Sequence, residues 1–161
     1  MKAASVKDIK HELKHKGSDE LIELCLRLAK FKAENKELLT YLLFESDNES
    51  HYINTVKDEI DTQFEQINTK TYYFIKKSIR KILRHTKKHI RYSKHKETEV
   101  ELLLHFCMKM TQVTPSIYNN TVLKNIFNRE LAQITKKTHL LHDDLQHDYS
   151  QQIKRLLQKK P

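Results

Sequence analysis

Histidine is the residue in this chain with the most open chemistry, and there are ten of them. His11 and His15 form a pair at i,i+4, and so do His85 and His89. Two imidazoles one helical turn apart can chelate a divalent metal. The segment HLLHDDLQHD adds His139, Asp143 and His147 at four-residue steps. A carboxylate between two imidazoles is a plausible ligand set, so these three are the candidate metal ligands. Over eight residues, however, a helix rises about 12 Å. All three reach one ion only if a second helix contributes. His105 sits inside the apolar run LLLHFCMKM and is expected to be a hydrogen-bonded core histidine.

The second chemical feature is positive charge. Residues 72–96, YYFIKKSIRKILRHTKKHIRYSKHK, hold ten Lys or Arg and no Asp or Glu. The chain's net charge of +9 is concentrated there: residues 1–68 are net −4, residues 69–96 are net +11 and residues 97–161 are net +2. On a helical projection Ile75, Ile79, Ile82, Leu83 and Ile90 fall together, and Lys77, Arg80, Arg84, Lys87, Lys88 and Arg91 fall opposite. The six cations of the basic face, within residues 76–94, are the candidate nucleic-acid contacts. An uncompensated stripe of this kind favours a polyanion, bound through phosphates without sequence preference. The competing expectation is an ordinary solvated face, neutralised by Asp58, Glu59, Asp61 and Glu65 of the preceding helix. An acidic protein surface or an anionic membrane surface would suit the same stripe.

Catalysis has no such footing. A single Gly rules out glycine-rich phosphate loops, and no G-x-S-x-G elbow exists. No cofactor and no catalytic activity are expected. Cys25 and Cys107 lie far apart inside apolar runs and read as reduced core residues.

The elements that must carry these side chains are helices. One Gly and two Pro leave little of the turn chemistry a β-rich fold needs. Residues 5–15 read as a short helix with Val6, Ile9 and Leu13 on one side. Gly17 is expected to end it at positive φ, with Ser18 capping the next helix, about 19–32. A break is expected near Asn35, another helix over 36–45 and a loop at SDNES (46–50). Tyr52, Ile53, Val56, Ile60, Phe64 and Ile67 then step by three or four. The basic helix follows over about 70–94. Residues 97–113 are apolar on nearly every side and should be the most buried. Thr114-Pro115 reads as N-cap and N1 of the next element. Residues 121–158 form one long helix or break near KKTH (136–139). A broad apolar stripe on that final stretch would support a homodimer.

The expected architecture is therefore all-α: a single domain over 1–161, a mostly antiparallel bundle of about six helices. No apolar run is long enough for a transmembrane helix, and the start lacks a secretory h-region, so a cytoplasmic location is expected. Residues 20–45 (ELIELCLRLAKFKAENKELLTYLLFE) and 72–107 resemble an uncharacterised group of small all-helical bacterial proteins, a domain of unknown function. That resemblance implies a cytoplasmic helical protein and carries no activity or site residue. Taken together, the sequence points to a helical interaction or scaffold protein. Sequence-nonspecific nucleic-acid binding is the first alternative and a metal-binding bundle the second.

Overall fold

The computed structural model describes residues 2–158, and among them every regular element is helical. There are eight α-helices rather than about six: α1 (Val6–Leu13), α2 (Ser18–Phe31), α3 (Ala33–Thr40), α4 (Glu49–Glu65), α5 (Tyr72–Ser93), α6 (Lys96–Met110), α7 (Thr121–Thr138) and α8 (Asp143–Gln158). A π-helical turn, Tyr41–Glu45, follows α3, and a 3-10 turn, Ile117–Asn119, precedes α7. Among the described residues no helix is long and apolar enough to cross a membrane. The contacts divide the chain into two compact units, Met1–Phe44 and Glu45–Pro161.

In the first unit α2 packs along α3. α1 opens with a capping box, in which Ser5 Oγ accepts from the Asp8 N–H at 3.2 Å. Gly17 does not take positive φ. At φ −71° it is the N-cap of α2, and its N–H donates to Glu20 Oε2 at 3.0 Å. The break between α2 and α3 falls at Lys32, which is extended, and not near Asn35. Of the described residues 2–44 only Tyr41 is buried. Phe31 is 84% exposed and Phe44 75% exposed. Cys25 is therefore exposed and not a core residue.

The second unit holds the core. α6 is its centre and buries Val100, Leu102, Leu103, Phe106, Cys107 and Met110, as its apolar sequence implies. It packs against α4, α5 and α7. Cross-helix contacts give the directions. Glu49 accepts from both Ser93 and Thr98, so the start of α4 meets the end of α5 and the start of α6. Glu99 accepts from Gln133 at 2.7 Å and pairs with Lys137 at 2.9 Å, so α7 runs antiparallel to α6. α5 and α7 thus lie parallel, both antiparallel to α6. Tyr149 of α8 donates to Glu101 Oε1 at 3.0 Å and ties α8 to α6.

α5 buries Ile75, Ile79, Ile82 and Leu83, the apolar edge its spacing implies, while Ile90 is half-buried. Each such side chain contributes about 1.5–3 kcal/mol on burial. α5 ends at Lys94, whose φ of 61° is left-handed and whose N–H donates to Ile90 O at 2.9 Å. Pro115 does not start a helix. The Thr114-Pro115 peptide is cis, and Ser116 caps the 3-10 turn that follows. The 121–158 stretch breaks after Thr138, close to the interruption in its apolar stripe.

Candidate functional site

α5 lies between α4 and α7, and its polar side chains divide into two flanks. The flank toward α7 is basic. A cleft of about 480 Å³ separates the two helices, with Arg80, Arg84, Lys87 and Arg91 on one wall and Arg129 on the other. Leu83, Val122 and Ile126 give it an apolar lining. Four of the six cations singled out from the sequence are thus brought to one groove. Lys77 and Lys88 are not on its walls. Lys77, Arg80, Arg84 and Arg91 are exposed, and Lys87 and Lys88 are half-buried.

The compensation of this charge is not the one the preceding helix offers. Glu59 turns to His85, at 2.9 Å from Nε2. Asp61 turns to α6, at 2.5 Å from His105 Nε2 and 2.8 Å from Lys109 Nζ. Neither reaches a Lys or Arg of α5. A neutralising carboxylate comes from α7: Glu130, fully buried, with Oε2 2.7 Å from Lys87 Nζ and Oε1 2.9 Å from Arg129 Nε. Among the described residues no acidic group pairs with Arg80, Arg84 or Arg91. Glu130 sits in RELAQI, inside an apolar stripe. That position is the one sequence signal that marks it, because a carboxylate on a core face needs a partner.

The flank toward α4 is histidine-rich. Glu59, His85 and His89 bring one ligand atom each to within 4.8 Å of one another, the group among the described residues with metal-site geometry. Glu59 Oε2 is 2.9 Å from His85 Nε2 and 3.8 Å from His89 Nε2. His85 and His89 are the i,i+4 pair visible in the sequence. Glu59 was legible only as a neutralising acid for the basic face and not as a partner of the histidines, since its register against α5 is a tertiary fact.

The other histidines are placed differently. His139 caps the end of α7, Asp143 opens α8 and a turn lies between them, so no single helix flank carries His139, Asp143 and His147. All three are exposed, and His147 Nε2 is 2.7 Å from Gln151 Nε2. His11-Glu12-Leu13-Lys14-His15 spells H-E-x-x-H, a metalloprotease spacing that reading the histidines only as pairs passes over. Its rings lie 5.0 Å apart, but α1 has eight residues and none of them is buried. No third ligand stands beside it within metal reach among the described residues. The spelling is present without the cleft that zinc-assisted hydrolysis needs.

His105 is hydrogen-bonded, as expected of it, but it is half-buried and not a core residue, because it faces Asp61 of α4. Burial works against ionisation of Asp61, but hydrogen bonds from Lys109 and His105 outweigh it and hold the carboxyl below the usual range. Burial, then the nearby Glu101 charge, pushes the Tyr149 phenol well up. Burial pushes the Cys107 thiol far above its ordinary value, which makes it inert. No family model, no curated protein and no solved structure matches the chain.

Proposed function

We propose that the protein binds the phosphate backbone of nucleic acid, without sequence preference, in the groove between α5 and α7. The observation that carries this reading is the row Arg80, Arg84 and Arg91, which faces Arg129 across an apolar lining and lacks acidic partners among the described residues. Guanidinium groups bind phosphate oxygens bidentately and desolvate more readily than ammonium groups. From Arg80 to Arg91 the helix rises about 16 Å, the length over which one duplex strand presents about five phosphates. Leu83, Val122 and Ile126 suit sugar or base faces better than a bare charge would. No catalytic step is assigned to the groove.

Fluorescence anisotropy with labelled single-stranded and duplex 20-mers of unrelated sequence tests this. Three to four phosphate contacts imply a fall in affinity between 50 and 200 mM salt of about 40- to 150-fold for duplex and about 20- to 50-fold for single strands. The Arg80→Gln/Arg84→Gln/Arg91→Gln variant, which disturbs no buried ion pair, should bind at least about tenfold more weakly at low salt. No binding at 50 mM salt sinks the reading. Equal binding of polyglutamate sinks it too, since the groove would then answer to charge alone.

A further inference from the structure

We infer that Glu59, His85 and His89 form a Zn²⁺ site on the opposite flank of α5, independent of the basic groove. The donors come from two rigid helices. Tyr52 and Glu59 are seven residues apart on α4 and so share one stripe, and His85 and His89 are one turn apart on α5. Antiparallel packing of α4 on α5 brings the stripes into register.

The spacing fits the ion. Zinc bonds of about 2.0–2.1 Å in a tetrahedron set ligand atoms about 3.3 Å apart. The two carboxylate-to-imidazole separations, 2.9 and 3.8 Å, bracket that value. A small rotation of the Glu59 side chain therefore makes room for an ion where the carboxylate now meets His85 directly. Glu59, with its side chain 46% exposed, opens the site to solvent, so the fourth position falls to water.

The orientation of His89 is fixed by its other nitrogen. Tyr52 Oη lies 2.8 Å from His89 Nδ1 and 3.2 Å from the His89 carbonyl oxygen. The hydroxyl has one proton. When it donates to the carbonyl, Nδ1 must carry the ring proton and donate to Oη. Nε2 is then left with its lone pair, on the side of Glu59. Metal-bound imidazoles are oriented by such a partner on the remote nitrogen. Tyr52 is 5% exposed, so that partner is itself held by packing.

The test uses the full-length chain without a tag, stripped with chelator, and titrated with ZnCl₂ by calorimetry and with Co²⁺ by visible absorption. One Zn²⁺ per chain is expected, with a Kd below about 1 µM, and intense Co²⁺ bands of low coordination number. Glu59→Gln and His89→Gln should each weaken binding by at least about 100-fold, and Tyr52→Phe by about tenfold. Zn²⁺ should raise the melting temperature of the parent protein and not of folded His85→Gln/His89→Gln. The His11→Ala/His15→Ala variant should bind like the parent, because this exposed pair at the end of α1 is the competing chelate. Binding weaker than about 10 µM, or binding lost with His11 and His15 but retained without His85 and His89, overturns the assignment.

Discussion

Single residues in this protein often do what their type alone would not announce. Lys94 adopts the left-handed conformation that glycine would take more cheaply, while Gly17, the one glycine, sits at ordinary negative φ as a helix cap. Composition marks glycine as the residue free to turn, and the turn at the end of α5 falls elsewhere because α5 and α6 are separated by only two residues. Asp61 is the residue with the clearest pH signature. Its folded pKa is lowered, because the bonds from Lys109 and His105 outweigh its burial. Its contribution is therefore full above the unfolded value of about 3.9 and lost as pH falls through the lower folded value. Asp61→Asn should cost about 1 kcal/mol at neutral pH. In urea denaturation the gap between variant and parent should narrow from about pH 4 downward.

At the scale of the element, α5 is two surfaces on one rod. Its apolar edge and its cations were legible from residue spacing, because helical periodicity is a property of one segment. What meets each surface was not legible. Glu130 and Arg129 arrive from α7 and Glu59 from α4, and register between helices is set by packing that no single segment encodes. The same limit explains the ligand set His139, Asp143 and His147: its step was right for an unbroken helix, and the chain turns between α7 and α8. Glu130 ties α5 to α7 by a buried charge. Lys87→Met leaves that carboxylate with Arg129 alone and should cost about 3 kcal/mol. Adding Glu130→Gln should restore most of the loss, measured as a double-mutant cycle in denaturant.

Across the whole molecule the two units differ in kind. The second has a buried core around α6, with Phe106, Leu102 and Leu103 fully covered. The first holds exposed apolar side chains on amphipathic helices, whose pattern in the sequence reads like that of core helices. Periodicity reveals which edge of a helix is apolar and says nothing of whether anything covers it. Hydrogen exchange should therefore be fast in α1–α3 and slow in α5 and α6. A thiol reagent should modify Cys25 at once and Cys107 only after unfolding, since Cys107 is fully buried and its thiol is held protonated.

The groove's two walls are α5 and α7, with all of α6 between them along the chain. During synthesis, a nascent polypeptide that has emerged only through Met110 displays the arginine row with neither Arg129 nor the carboxylate that balances Lys87. A fully formed cleft is thus acquired late, and translation itself delays assembly of the finished surface.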